Sequence, residues 1–298
     1  MSASKDDLDE AVLLGIFSGE IEPLYLPPDV SPSISPLAIV IGAQPGAGKS
    51  TVMGDIRRRV ESLGWTVEID TDELRTHHPQ HKRFLDEDDQ TAGTRTNRDA
   101  NRWAEMLRNK SKDKCVNVLL ESSMRTPESL SVLLKDFRSA KYGTEVHVLA
   151  VKPRLSELSI LLRYEKQRAA TGHGRLVPSE FHLSALNGML ETVRRIEEEK
   201  LTDRLFVHLR DVVAPVYSNE IKDGEWIGEL GACAAIKAEW ERPMGLDECR
   251  KIFQACDGLM KTLMQPGRGS GLEYALRVKD LWNQAHADLD EATQASIV

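Results

Sequence analysis

Gly46 and Gly48, followed at once by Lys49 and Ser50, have the residue types and spacing that hold an anion. They lie in QPGAGKST, where Gln44, Pro45, Gly46, Ala47, Gly48, Lys49, Ser50 and Thr51 follow an apolar run and open a helical pattern. A glycine turn between a strand and a helix points successive backbone N–H groups inward at a phosphate. The helix adds its positive N-terminal end. In that arrangement Lys49 reaches the β- and γ-phosphates of ATP, and the Ser50 hydroxyl ligates Mg²⁺. The strict motif begins with glycine; here Ala43 holds that place and Gly42 precedes it. Alanine is tolerated wherever φ is negative.

A phosphate loop alone does not separate a kinase from an ATPase or a switch, so further residues must supply the chemistry. The string VEIDTDELRTHHP places Asp70 and Asp72 at the C-terminal end of the next strand, the edge where open α/β sheets bind ligands. A carboxylate there can take the proton of an attacking hydroxyl. Asp72 also opens a helical turn, and it serves equally well as a base or an N-cap. Glu121 ends the third strand in NVLLESSMRT, where phosphate-loop proteins carry an acid near the metal. Arg154, Arg163, Arg168 and Arg175 surround a TGHG turn. Guanidinium groups on a glycine hinge suit the charge that develops on a transferred phosphoryl group.

These residues need a scaffold, and the pattern supplies one. Short apolar runs at 37–41, 66–69, 116–120, 145–151 and 205–209 alternate with helical patterns near 49–63, 97–111, 127–140, 154–170 and 179–199. Runs that are apolar throughout belong to a parallel sheet covered on both faces. The fold class expected is α/β: a doubly wound parallel sheet of the P-loop kinase type with helices on both faces. Residues 1–36 hold a helix candidate at 8–17 and a proline-rich connector, and 37–215 form the kinase-like domain. The strand signal stops near residue 216, and 216–298 read as a helical C-terminal extension, with helices at 229–241, 246–264 and 271–294. The connectors ERPMG and QPGRGSG separate them, and docking on amphipathic helices is the role expected of the extension.

The chain has 298 residues and a formal charge of −8. That balance argues against general nucleic-acid binding, which needs clustered Lys and Arg. No apolar run is long enough to span a bilayer, and the acidic start is not a signal peptide. Four scattered cysteines without a CxxC motif suggest a reducing, cytoplasmic setting.

Taken in order, QPGAGKST, IDTDELRTHHP, a helix with Trp103 and Glu105, NVLLESSMRT, LLRYEKQ and a later HGR resemble the zeta toxin family of bacterial toxin–antitoxin systems. The resemblance covers roughly residues 37–210, and its most specific part is the IDxDxxRxxHP string. It implies a kinase that uses ATP and Mg²⁺ to phosphorylate the 3′-hydroxyl of the amino sugar in UDP-N-acetylglucosamine, a partner nucleotide sugar, and a small helical antitoxin that blocks the nucleotide site. By the resemblance Asp72 is the general base and Lys49 belongs to the loop. Arg163 and Arg175 clamp the transferring phosphate. Arg75, Glu105, Glu121 and Ser123 lie on the substrate side, with Ser50 and Glu121 nearest the metal. Ser122–Ser123 replaces the Gly-Thr that often follows the strand-three acid in the family. Related kinases act on other nucleotide hydroxyls, such as that of NAD, and the substitution keeps that acceptor open. A non-catalytic nucleotide switch is the alternative of a different class; a polynucleotide kinase is disfavoured by the acidic charge.

Overall fold

The computed structural model describes residues 6–89, 91–265 and 271–296. Most of the QPGRGSG connector, residues 266–270, lies outside the described residues, as do the first five positions. The chain opens with α1 (Glu10–Ile16), a π-helical turn (Phe17–Ile21) and α2 (Glu22–Tyr25). Then follow β1 (Leu37–Gly42), α3 (Ser50–Glu61), β2 (Thr66–Ile69), α4 (Thr71–Leu74), a 3₁₀ turn (Arg75–His77), α5 (His81–Glu87), α6 (Ala92–Arg95) and α7 (Asn97–Asp113). The centre of the chain is β3 (Asn117–Ser122), α8 (Pro127–Ser139), β4 (Gly143–Ala150), α9 (Pro153–Thr171) and α10 (Ser179–Glu199). It closes with β5 (Arg204–Leu209), β6 (Tyr217–Lys222), β7 (Glu225–Trp226), α11 (Ala232–Glu241), α12 (Leu246–Leu263) and α13 (Leu272–Ala295).

The strands form one sheet in the order β2-β3-β1-β4-β5-β6-β7. The first five are parallel, as their continuous apolar runs imply. Alternation along β1 serves both faces. Ile39 and Ile41 pack against Val52, Ile56 and Val60 of α3, whereas Ala38 and Val40 join the larger core under α7, α8, α10 and α11. The N-terminal helices belong to that larger core. Leu13, Phe17 and Ile21 are buried in it, and the Trp103 indole N–H donates to the Leu13 carbonyl at 3.0 Å.

The strand signal does not end at 216. β6 and β7 extend the sheet in antiparallel sense, β6 beside β5. Its sequence, YSNEIK, is polar because it lies outside the doubly covered part of the sheet and only alternate residues turn inward. The break read at 215/216 therefore falls inside the sheet. The extension also divides. α11 joins the main core through Ala232 and Ile236, whereas α12 and α13 form a hairpin on α9 with their own core of Ile252, Cys256, Leu259, Tyr274, Val278 and Leu281. Cys249 and Cys256 are buried free thiols. Among the described residues no helix is long and apolar enough to cross a membrane.

Register aligns the C-terminal ends of the central strands. Gly42 lies level with Ser122 of β3 and Val148 of β4, and Ile69 of β2 lies level with Leu120. The switch in strand order at β1 opens a crevice at that edge, where the loop after β1, Asp70 and Asp72 after β2 and Glu121 of β3 lie.

At the opposite end of β4, Glu145 is almost fully buried. Burial alone would raise its carboxyl; the hydrogen bond from His147 and the Arg59 and Arg204 guanidiniums outweigh it and hold the carboxyl down to about 2. A folded-state value below the unfolded one stabilises the protein above the unfolded value, and that contribution is lost as pH falls. The Tm difference between the wild type and Glu145→Gln is expected to be large at pH 7 and to shrink between about pH 4.5 and pH 2. Thermal melts across that range check it, and a difference independent of pH would contradict it.

Candidate active site

The loop has the conformation its glycines allow. Gly46 and Gly48 take positive φ values of 80° and 77°. A Cβ at Gly46 would lie 2.0 Å from the Ser156 carbonyl oxygen of α9, so only glycine fits. Ala43 is absent from the positive-φ positions, which is why alanine serves at the start of the motif. Gly42 takes the close approach instead, since a Cβ there would run into the Met124 thioether. Gln44 is fully buried and donates to the Val151 carbonyl at 2.7 Å, tying the loop to the end of β4. Lys49 forms an ion pair with Glu121 at the end of β3. Ser50 begins α3, and the Thr51 hydroxyl donates to Asp211 at 3.3 Å.

The capping role falls to the neighbouring acid. Asp70 is the N-cap of α4, its carboxylate accepting from the Asp72 N–H at 2.8 Å. Asp72 is thereby released from capping. Its carboxylate, about half exposed, is held on one oxygen by Arg75 and on the other by Arg175. Arg75 is itself anchored, donating to the Asn97 side chain at 2.7 Å. Partial burial would raise the Asp72 carboxyl; the charges of Arg175, Arg75 and Arg163 outweigh it and keep the group below its ordinary value. Asp70 moves the other way, raised by burial and by the Asp72 and Glu121 charges, with the Asp72 N–H and Lys49 opposing.

Arg163 lies at the centre of this arrangement. Burial and the like charge of Arg175 lower it, and Asp72, Glu121 and Asp70 all act on it in the opposite direction. One guanidinium is thus in electrostatic reach of both the loop-side acid and the Asp72–Arg175 pair. Asp72, Arg75, His81, Arg163, Gln167 and Arg175 line a cleft of about 320 Å³. Three arginines there face the acids Asp72 and Asp89, a balance that suits an anionic ligand.

Other predicted residues go elsewhere. Arg154 pairs with Asp288 of α13, and Arg168 packs over the Tyr164 ring, so neither reaches the cleft. Glu105 is exposed on α7 and does not line it; it lies two helical turns along from Asn97, in reach of Arg108. Ser123 follows β3 at the correct edge, but it is Ser122 whose hydroxyl accepts from the Met124 N–H, at 3.0 Å. The TGHG turn is not a loose hinge. Gly172 ends α9 in the left-handed region, Gly174 N–H donates to Asp89 at 2.8 Å, and Arg175 N–H donates to the Gln167 side chain at 2.9 Å. Asn97, Asp89 and Gln167 were not singled out from the sequence; Gln167 closes the LLRYEKQ string without a role assigned to it, and no motif marks Asn97 or Asp89.

The sheet order, the loop and the acids at one strand edge define an α/β protein of the P-loop kinase type. The Zeta toxin family profile matches residues 27–222, and the chain belongs to that family. Toxin PezT of Streptococcus pneumoniae is 32% identical over 183 residues, covering 60% of this chain and 70% of its own. Toxin zeta of Enterococcus hirae is 27% identical over 165 residues, 54% of this chain and 57% of its own. A solved structure of the PezAT chromosomal toxin–antitoxin system of Streptococcus pneumoniae superposes with a TM-score of 0.67 at 22% identity. It covers 97% of this chain and 99% of that one, which places α12 and α13 within the shared fold.

The division of labour between the two aspartates can be checked by stability. Asp70→Ala is expected to cost about 1 kcal/mol through loss of the cap, whereas Asp72→Asn leaves the cap in place. Chemical denaturation of both variants measures this; equal losses would contradict the assignment of Asp70 as the cap.

Proposed function

We propose that the chain is an ATP- and Mg²⁺-dependent kinase that phosphorylates the 3′-hydroxyl of the amino sugar in UDP-N-acetylglucosamine, acting in the cytoplasm as the toxin of a toxin–antitoxin pair. The observation that carries the transferase reading is the Asp72 carboxylate, relieved of capping by Asp70 and presented with Arg163 and Arg175 in a cationic cleft at the loop edge. A nucleotide switch needs a water-positioning residue rather than a carboxylate beside an acceptor pocket. Membership of the Zeta toxin family and similarity to Toxin PezT support the toxin role, and the PezAT assembly supports a separate antitoxin partner.

The residues divide the work as follows. The loop N–H groups and Lys49 bind the phosphates, Lys49 exchanging Glu121 for phosphate oxygens. The acceptor hydroxyl donates to Asp72, which stays ionised because the arginines depress its pKa; it orients the oxygen and takes the proton as the bond to phosphorus forms. Arg75, fixed by Asn97, holds the carboxylate in place. Arg175 turns from Asp72 to the transferring group and, with Arg163, meets its charge. Ser50 and Glu121 fit Mg²⁺, which is bound by hard oxygens and keeps several waters; Asp70 adds a second carboxylate in electrostatic reach of Glu121. When bound, that ion neutralises charge on the β- and γ-phosphates.

Incubation with ATP, Mg²⁺ and a panel of nucleotide sugars and dinucleotides, read by mass spectrometry, tests the proposal. UDP-N-acetylglucosamine is expected to gain one phosphoryl group. Lys49→Ala and Asp72→Asn are expected to reduce turnover by about 10³-fold or more with the fold intact by circular dichroism. A heavier dinucleotide in place of the sugar would reassign the acceptor, and ADP release with every acceptor unchanged would favour a switch. Wild-type turnover by Asp72→Asn would remove the base.

A further inference from the structure

The acidic segment before α1 takes no part in the chemistry described so far, yet a row of arginines holds it. Asp6 accepts two bonds from Arg95 at the end of α6, at 2.9 and 3.2 Å. The Asp7 carboxylate, 9% exposed, pairs with Arg98 of α7, and Glu10 accepts from Arg102 at 2.7 Å. Between them the Leu8 N–H donates to Asp99 of α7 at 3.0 Å. Asp99 is almost fully buried, and His78 Nε2 stands 3.4 Å from the same oxygen. The Leu8 side chain packs against the main core.

Arg95 joins this segment to the wall of the Asp72 cleft. It also donates to Glu87 of α5 at 2.6 Å, and its guanidinium lies 3.6 Å from the centroid of the buried Phe84 ring. α5 and α6 line the cleft through His81, Leu85 and Gly93. α6 touches the site directly: a Cβ on Gly93 would lie 3.4 Å from Arg175 Nε and 3.9 Å from Arg75 Nη1. Asn97, which holds Arg75, sits between Arg95 and Asp99, two residues that the acidic segment grips.

We propose that Arg95 is a positioning residue for the acceptor side of the site, and that residues 6–10 are the strap that fixes it. The inference rests on the kinase reading in that Asp72 addresses the acceptor. One exposed ion pair would contribute little. Here a two-bond contact, a ring stacked under the guanidinium and a backbone bond to a buried carboxylate act on one corner of the fold. With the strap in place, α6 and the start of α7 back Arg175 and Arg75 against the two oxygens of Asp72. With the strap released, both arginines lose that backing, and Asp72 loses charge that keeps its carboxyl below the ordinary value. The phosphate loop makes none of these contacts; its partners are Val151, Glu121 and Asp211.

The full chain carrying Asp6→Asn with Asp7→Asn tests this, since it releases the strap and leaves Arg95 and every core residue in place. Hydrogen–deuterium exchange is expected to quicken about tenfold across residues 84–97 and to stay within about twofold in β1, β3 and β4. Asp7→Arg and Arg98→Asp are each expected to quicken it alone, and their combination to restore the wild-type rate. With UDP-N-acetylglucosamine as acceptor, kcat/KM of the double asparagine variant is expected to fall about fivefold or more and its acid limb to move to higher pH, whereas ATP affinity by calorimetry stays within about twofold. Arg95→Gln is expected to reproduce both effects and Arg95→Lys to reproduce them in part. Unchanged exchange at 84–97, or faster exchange throughout the sheet, would overturn the strap. Faster exchange at 84–97 with an unchanged kcat/KM and acid limb would overturn the positioning role. A wild type that phosphorylates no acceptor would remove the kinase reading, and the exchange result would still decide the strap.

Discussion

The active edge depends on one carboxylate being left free of backbone duty. A helix that starts directly after a strand needs an acceptor for its first N–H groups. In IDTD two aspartates compete for that task, and Asp70 performs it. Asp72 then lies half-exposed in a cleft rich in charge, where cations compensate it. Arg75, one turn along, and Arg175, far along the chain, do so. The Lys49–Glu121 pair balances the loop in the same way. Each pair holds its charged side chains in place, and in the proposed reaction Lys49 and Arg175 exchange their carboxylate partners for phosphate oxygens. The site is therefore ordered by the contacts that a substrate would replace.

That exchange explains why so much of the surrounding structure is devoted to holding arginines. Arg75 is set by Asn97 of α7, and the Arg175 backbone by Gln167 of α9. The Gly174 N–H is set by Asp89, and the following Val177 carbonyl by Arg277 of α13. α9 is the common wall, and the C-terminal hairpin buttresses it through a core of its own. α12 and α13 pack on α9 within the chain.

The loop, the strand-end acids and the parallel sheet were legible in the sequence because each is a local pattern: an apolar run followed by its edge residue. Arg163 and Arg175 were legible because a helix and a glycine turn mark their neighbourhood, but composition could not separate them from Arg154 and Arg168. Helix phase and the position of α13 make that distinction. The short elements between β2 and α7 went unread because four to seven residues are too few to establish a period. β6 went unread because an outer antiparallel strand exposes alternate polar residues. Glu105 entered through family resemblance alone, and the structure puts it on an exposed helix face outside the cleft. The partners Asn97 and Asp89 are products of tertiary packing and carry no motif, and Gln167 ends the LLRYEKQ string, which did not mark its contact with Arg175.

The central claim is that Asp72 addresses an acceptor hydroxyl while Arg175 addresses the transferring phosphate. A crystal structure of the full chain with Mg²⁺, a non-hydrolysable ATP analogue and UDP-N-acetylglucosamine measures this directly. The account predicts an Asp72 oxygen about 2.6–3.2 Å from the sugar 3′-oxygen, with Arg175 moved onto the terminal phosphate beside Arg163. An acceptor bound away from Asp72, with that carboxylate still held by both Arg75 and Arg175, would contradict it.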